Sequence, residues 1–206
     1  MKLIHASLII IGGVIRLTII GFIVFNVIYI ANALIPSSPL LTGAWEDEIF
    51  YNTWTHMSFE LPQGFVVQPL LHTNRASGTV DDFRIRNDCI GIDISLKLID
   101  VARGEMRDKT AEDYLNYIHS IMINSQAGTF TFNNDFEHIF IAGRDYAIMR
   151  GSLVNEEINM NVRYDFYAHR FVNTMMVFTV VYSCNCLSDD IYSFFNSINR
   201  HRIVLP

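Results

Sequence analysis

The first 35 residues contain the feature that most limits how this chain folds, an apolar run without a formal charge. The run covers residues 17–35, nineteen positions, and as a helix it would measure roughly 28 Å, close to the ~30 Å hydrocarbon core of a bilayer. Arg16 comes directly before it, and Lys2 comes directly before a shorter apolar stretch upstream, residues 3–15. The pattern predicts an N-terminal signal-anchor or transmembrane segment over residues 1–35, with residues 17–35 in the membrane.

The charges on either side of the run predict its orientation. The positive charges lie before it, three consecutive acidic residues follow at positions 46–48, and the next basic residue is Arg75. The positive-inside rule therefore predicts a single-pass protein of the cell membrane, with the N-terminus in the cytoplasm and the rest outside. Two alternatives stay open. Ala31-Asn32-Ala33 has the form of a signal-peptide cleavage site, and cleavage after Ala33 would give a secreted domain. A buried helix of a soluble protein is the other.

The composition after residue 35 indicates one exported domain with an acidic surface. A Pro- and Ser-containing stretch, "IPSSPLLTG", predicts a linker over residues 36–52 and an extracytoplasmic domain over residues 53–206. All 21 acidic residues but only 13 of the 15 lysines and arginines follow residue 35, which gives this part a formal charge of −8. That charge argues against binding nucleic acid or anionic lipid, both of which need a basic surface.

Alternation of apolar and polar residues predicts a mostly antiparallel sheet. "CIGIDISLKLID" and "INMNVRYDFYAHR" alternate with period two, which is typical of strands with one buried face. "VNTMMVFTVVYS" is apolar on both sides and predicts a central strand covered on both faces. Brief polar breaks separate consecutive strands in the second half, as in an antiparallel meander.

Two amphipathic segments predict helices. "KTAEDYLNYIHSIMIN" carries a capping-box pattern at Thr110 and Asp113 and an apolar stripe that includes Ile121. "SDDIYSFFNSINRHR" begins with Ser188 as an N-cap candidate, and Arg200 and Arg202 suit its negative end. Sheet and helices together predict an α+β fold in which an antiparallel β-sheet is flanked by helices, an α/β/α sandwich.

The order of these segments resembles the PsbP-like fold, found in extrinsic photosystem proteins and in many exported bacterial domains. The shared features, over residues 53–200, are an opening "FELPQGF", an early alternating strand, a "DYLNYI" helix, an "IAGRDYAIMRGSL" hairpin, the aromatic strand "VRYDFYAHR" and a final amphipathic helix. The resemblance implies a non-catalytic domain that binds other proteins. It supplies no motif from which a functional residue can be carried over.

The cysteines and one acidic loop are the candidate covalent and metal sites. Cys89, Cys184 and Cys186 are either packed thiols or include a disulfide between Cys89 and Cys184 or Cys186. Weak candidates for Ca²⁺ ligands are Asp135, Glu137 and His138, but the twelve-residue calcium-loop pattern is absent. We therefore expect no metal site and no cofactor, with these three residues in a solvated loop.

A cluster of aromatic residues follows the predicted linker. Trp45, Phe50, Tyr51 and Trp54 either pack as the first core contacts of the domain or form an exposed interface near the bilayer surface. Arg163 and Asp165 lie two apart on the polar side of a strand, where a solvated or cross-strand pair is expected.

The sequence lacks the common catalytic signatures, so we predict no catalytic residue. It contains no G-x-S-x-G elbow, no phosphate loop and no dinucleotide fingerprint. The leading hypothesis is a non-enzymatic, membrane-anchored extracytoplasmic domain that binds another envelope protein or an envelope component, and no nucleic acid. A secreted hydrolase-like enzyme would instead show a cleft with perturbed carboxylates. A small-ligand carrier would show an enclosed apolar cavity.

Overall fold

The computed structural model describes seven stretches of the chain, all within the compact unit that begins at residue 38. These stretches are residues 42–71, 78–102, 104–125, 128–133, 135–156, 160–183 and 188–200. The predicted membrane segment, Cys184, Cys186 and Arg202 lie outside them. No helix within the stretches is long and apolar enough to cross a membrane.

A small antiparallel sheet opens the described part. It contains β1 (Ala44–Glu46), β2 (Ile49–Asn52), β3 (Met57–Glu60) and β12 (Asn199–Arg200), in the order β1-β2-β3-β12. Residues 44–52, which the sequence assigned to the linker, are therefore part of the folded unit. Their short alternating pattern buries Phe50 against Phe59 and Phe83, with ring centroids 5.2 and 4.9 Å apart.

The main sheet has eight strands, and every pairing in it is antiparallel. Its strands are β4 (Val66–Val67), β5 (Thr79–Asn87), β6 (Ile92–Asp100), β7 (Thr129–Phe132), β8 (Glu137–Ile141), β9 (Arg144–Asn155), β10 (Met160–Phe171) and β11 (Thr174–Ser183). The order is β4-β5-β6-β11-β10-β9-β7, and β8 also pairs with β9. The central position predicted for β11 is confirmed, since consecutive residues along it are buried on both sides.

The first helix, α1 (Ala111–Ile123), begins with the predicted capping box. Thr110 Oγ1 accepts from the Asp113 backbone N–H at 3.2 Å, and Asp113 Oδ2 accepts from the Thr110 N–H at 3.0 Å. Leu115 is fully buried, whereas Ile121, expected in the apolar stripe, is exposed. Tyr114, Ile118 and Met122 are partly buried and pack against the same hydrophobic cluster as Leu115, so of the predicted stripe Ile121 is the residue that does not pack.

The second helix, α2 (Ser188–Ser197), buries four apolar residues within and just beyond its C-terminal end, namely Ile191, Phe194, Phe195 and Ile198. It ends at Ser197, and Arg200 pairs with Met57 as part of β12. The predicted placement of Arg200 at the helix end was therefore wrong, because strand pairing with β3 takes the chain out of the helix.

Alternate residues of the central strands belong to two hydrophobic clusters, and each cluster contains one helix. Met176 and Phe178 pack with α2 and the small sheet, while Met175 and Val177 pack with Leu115 of α1. Period-two burial on a sheet places neighbouring residues on opposite faces. The chain is therefore an α+β protein, mostly antiparallel sheet with two helices in the described part.

Candidate functional site

On the face of the main sheet that α2 covers, polar side chains continue past the helix and form an uncovered strip. Phe195 of α2 packs on Tyr167 and Phe178, with ring centroids 4.4 and 5.3 Å apart. The helix has only ten residues, about 15 Å, so it leaves the same face uncovered toward the start of β10. Asp165 and Arg163 follow there at period two, so their side chains share the face of Tyr167.

Strand register aligns the side chains of this strip across four strands. Thr131 of β7 lies opposite Ser152 of β9, Ser152 opposite Arg163 of β10, and Arg163 opposite Tyr182 of β11. The next row pairs Arg150 of β9 with Asp165. Directly opposed residues have Cβ atoms about 5 Å apart, so the two rows form one contiguous polar surface.

The strip forms the floor of an open groove, which we call the Asp165 groove. It consists of two adjoining pockets of about 340 and 210 Å³ that share Arg150, Arg163, Asp165 and Tyr182. The first pocket is completed by Thr131, Phe132, Asn133, Gly151 and Ser152, and the second by Tyr167, Ile191 and Tyr192.

Asp165 is a buried carboxyl surrounded by hydrogen-bond donors. Its side chain is only 6% exposed, and Arg150 Nε lies 3.5 Å from Oδ2. Tyr167 Oη donates to Oδ2 at 3.3 Å, and Tyr182 Oη lies 3.4 Å from Oδ1. Burial raises the pKa of Asp165 above its usual range, and the Arg150 charge and the phenol donors oppose that rise without overcoming it.

Arg150 is held in place from both sides of the groove. Its Nη1 donates to both carboxylate oxygens of Glu137 at 2.6 Å, and its Nη2 donates to Tyr192 Oη at 3.0 Å. Tyr192 belongs to α2 and Glu137 to β8. The arginine therefore connects the edge of the sheet to the helix and fixes the floor of the groove.

The outer row of the groove offers exposed polar groups. Arg163 is exposed and hydrogen-bonds to Tyr182, whose pKa burial raises. The hydroxyls of Thr131 and Ser152 lie 2.8 Å apart. Two guanidinium groups, phenols and hydroxyls along one open surface can bind a ligand that presents hydrogen-bond acceptors or a negative charge.

The four aromatic residues of the predicted interface mostly belong to the core. Phe50 is fully buried, so the expectation of an exposed patch is wrong for this residue. Trp45 packs on Phe50 at 5.3 Å and Trp54 on Phe171 at 5.4 Å between ring centroids. Tyr51 is half-buried and lines a separate pocket.

The weak metal candidates do not converge. Glu137 binds Arg150, Asp135 is exposed, and His138 Nδ1 lies 3.1 Å from Asp145 Oδ1. Within the described stretches no three Asp, Glu, His or Cys residues are placed to hold a metal ion. Cys89 is exposed, and its predicted disulfide stays a prediction because both partner cysteines lie outside those stretches.

Reasoning from the sequence missed most of the groove. Arg163 and Asp165 were expected to be solvated or to have cross-strand partners; Asp165 is buried, and its cross-strand partner is Arg150. The sequence feature that could have indicated the groove is Arg150, a charged residue in an otherwise apolar segment of β9. Its partner across the sheet depends on strand register, which the pattern does not specify.

Comparison with known proteins supports the fold. No protein-family model and no curated protein matches the chain. Among solved structures, the cyanobacterial PsbP (CyanoP) from Synechocystis sp. PCC 6803 matches with 13% identity and a TM-score of 0.52, over 80% of this chain and 95% of that chain. A Bacteroides thetaiotaomicron protein matches with 9% identity and a TM-score of 0.47, over 77% of this chain and 50% of that chain. LpqN of Mycobacterium tuberculosis, described as involved in cell envelope biogenesis, matches with 13% identity and a TM-score of 0.38, over 68% of this chain and 76% of that chain.

The protein therefore has the PsbP-like fold, which confirms the resemblance seen in the sequence. At this level of identity the likeness concerns the fold alone, and one fold carries many functions.

Proposed function

We propose that the chain is a non-enzymatic, membrane-anchored extracytoplasmic domain that binds a protein or another envelope component through the Asp165 groove. The observation that carries the proposal is the register-aligned polar strip that α2 leaves uncovered, with Arg150 fixed by three partners at its centre. Rigid, pre-positioned polar groups in an open concave surface favour binding, because little ordering is needed when the partner arrives. The partner is a carboxylate- or otherwise acceptor-bearing surface that contacts Arg163.

The hydrolase-like alternative has one observation in its favour, the raised pKa of Asp165 in a cleft. Its carboxyl group is almost fully buried, however, and its oxygens already contact Arg150 and two phenols. Among the described residues lining the groove there is no histidine or cysteine. Binding is therefore the better account of the site. A small-ligand carrier is disfavoured because the groove is open and polar.

The anchor and the layering belong to the same proposal. Residues 17–35 have the length and apolar character of a membrane span, and the charges before and after them favour an external domain. An α/β/α layering is favoured because α1 and α2 contribute to different hydrophobic clusters.

Site-specific photo-crosslinking in intact cells tests the groove. A photoreactive residue at Asn133, an exposed position in the groove, should give a discrete adduct with a partner. Arg163→Ala should abolish the adduct. Arg86→Ala, a second exposed strand arginine that pairs with Asp88 away from the groove, should leave it unchanged.

Two outcomes would contradict the proposal. One is an adduct at Asn133 that is equally insensitive to both arginine substitutions. The other is an adduct formed just as well from Asn173, an exposed turn residue between β10 and β11.

A further inference from the structure

The strand that borders the Asp165 groove also forms an edge of the main sheet. β7 is the last strand in the sheet order, and part of it lines the groove. The backbone N–H of Asn133, the residue after β7, donates to Arg150 O at 2.9 Å. Because the hydrogen-bonding direction alternates along an antiparallel strand, the N–H and C=O groups of Phe130 and Phe132 point away from β9.

These four outward backbone groups receive no hydrogen bond from any residue in the described stretches. They form two N–H and C=O pairs about 6.8 Å apart along the strand. This is the pattern with which a sheet edge binds an additional strand. Edges of this kind are normally blocked by charge, by proline or by short length.

The other strand edges in the described part of the chain have such protection. β4 and β12 contain two residues each, and Pro69 follows β4 closely. Charged residues lie on β1 (Glu46) and β8 (Glu137). In contrast, β7 has four residues, and the sequence from residue 124 to residue 134 contains no charge and no proline. The edge of β7 is therefore open to strand pairing.

The two sides of β7 define the side chains that a paired segment would carry. On the groove side, the exposed Thr131 hydroxyl lies 2.8 Å from the Ser152 hydroxyl, in the row that continues to Arg163. On the other side, the partly buried rings of Phe130 and Phe132 stack with centroids 6.1 Å apart. Since opposed side chains on neighbouring strands interact, the fitting segment alternates acceptor-bearing residues with apolar ones.

We infer that the partner of the Asp165 groove presents an extended segment that pairs with β7 as an additional strand. This inference rests on the binding role of the groove in the proposed function, and it states how the partner is held. Backbone pairing supplies affinity, and the side chains on each side of β7 supply selectivity. A second copy of the chain fits less well. The part after residue 35 carries a formal charge of −8, so two copies repel each other.

Photo-crosslinking of the full-length chain in intact cells, from two positions, tests the geometry. Thr129 and Asn133 are exposed and lie at the start of β7 and directly after it, about 14 Å apart. A photoreactive residue at each should give an adduct with the same partner. Mass spectrometry should place the two attachment points about four residues apart in the partner chain. A spacing of about nine residues, as in a helix, or two points distant in sequence would overturn the inference.

Removal of one outward N–H tests the backbone pairing. Phe130→Pro removes a donor that β9 does not use, so β7 keeps its own pairing. The adduct from Asn133 should fall about tenfold or more, because a carbonyl of the partner loses its donor. Phe130→Val removes the same ring but keeps the N–H, and should retain most of the adduct. Gln68 N–H donates to β5, so Val67 faces outward on β4; Val67→Pro should leave the adduct unchanged.

The outcomes separate this inference from the proposed function. If Arg163→Ala abolishes the adduct but Phe130→Pro leaves it, the groove binds without strand pairing, and this inference alone is overturned. If no adduct depends on Arg163, the proposed function fails and the inference falls with it. An adduct between two copies of the 23.7 kDa chain would also overturn it. Thermal melting checks that the variants fold, and if Phe130→Pro does not, the spacing of the two attachment points decides.

Discussion

Asp82 gives the protein a stability that should depend on pH in an unusual direction. Its carboxyl group is buried and accepts three contacts, from the Gly43 N–H at 2.6 Å and from Asn52 Nδ2 at 2.9 Å to each oxygen. Burial raises the pKa of Asp82 from 3.8 to about 7, and the hydrogen bonds from Gly43 and Asn52 oppose that rise. The Asn52 side chain stays a donor to Asp82, because its Oδ1 already accepts hydrogen bonds from the Trp54 and Thr55 N–H groups.

The direction and size of this pH dependence follow from the linkage between protonation and folding. The folded state binds the proton more tightly than the unfolded state, so the stabilisation is complete below the unfolded pKa and is lost as pH rises through about 7. Each pH unit below 7 adds about 1.4 kcal/mol until the unfolded chain also becomes protonated. Between pH 8 and pH 5 the free energy of unfolding should therefore increase by about 2.7 kcal/mol from this group alone.

Asp82→Asn removes this titration. Urea unfolding of a fragment containing residues 38–206, followed by tryptophan fluorescence at pH 5, 6, 7 and 8, measures the difference from the unsubstituted fragment. The free energy of unfolding of the variant, minus that of the unsubstituted fragment, should rise by about 2.7 kcal/mol from pH 5 to pH 8. Asp88→Asn, at a largely exposed carboxylate, is the control and should run parallel to the unsubstituted fragment. Parallel profiles for Asp82→Asn would refute the reasoning.

Four further predictions concern other parts of the chain. Gly151→Ala should lower the free energy of unfolding by about 1–3 kcal/mol in urea titrations, because an added Cβ would lie 2.4 Å from Cδ1 of Phe132; unchanged stability would contradict the packing. Thr110→Ala should lower it by about 1 kcal/mol through loss of the capping box, with thermal melting as the check. Millimolar Ca²⁺ should leave the melting temperature unchanged because Glu137 binds Arg150, and a rise of roughly 5–10 °C would contradict this. A single cysteine at exposed Asp108, in an otherwise cysteine-free chain, should react with an impermeant maleimide on intact cells; labelling only after lysis would exclude the external topology.

The longer strands and the start of the first helix could be predicted from the sequence, because their residue patterns are long or local. Ile92, Ile94, Leu96 and Leu98 alternate with polar residues and are all buried, as expected for β6. The capping box set the start of α1 because it is a local hydrogen-bond pattern. β1 and β2 were missed because strands of three and four residues have too few alternations to stand out beside a Pro/Ser stretch.

The groove could not be predicted because it depends on contacts between distant segments. Whether Asp165 is solvated or buried is decided by which rows of the sheet α2 covers, and by the phenol that Tyr182 contributes from the next strand. The Arg150–Asp165 pair follows from the register of β9 and β10. Residue types alone indicate that such groups need partners, but not which ones they find.

The position of β12 affects how the protein is made. Asn199 pairs with Ser58, so the small sheet is completed by a residue about 140 positions further along the chain. Phe59 of β3 packs on Phe194 of α2, with ring centroids 5.2 Å apart. A nascent chain therefore lacks the contacts that α2 and β12 make with β3 until residues 188–200 have been synthesised. Such long-range closure slows folding and prolongs exposure of apolar surface. A premature stop before residue 188 would thus yield a polypeptide in which the part of β3 that contacts α2 and β12 stays exposed, a substrate for chaperones and proteases.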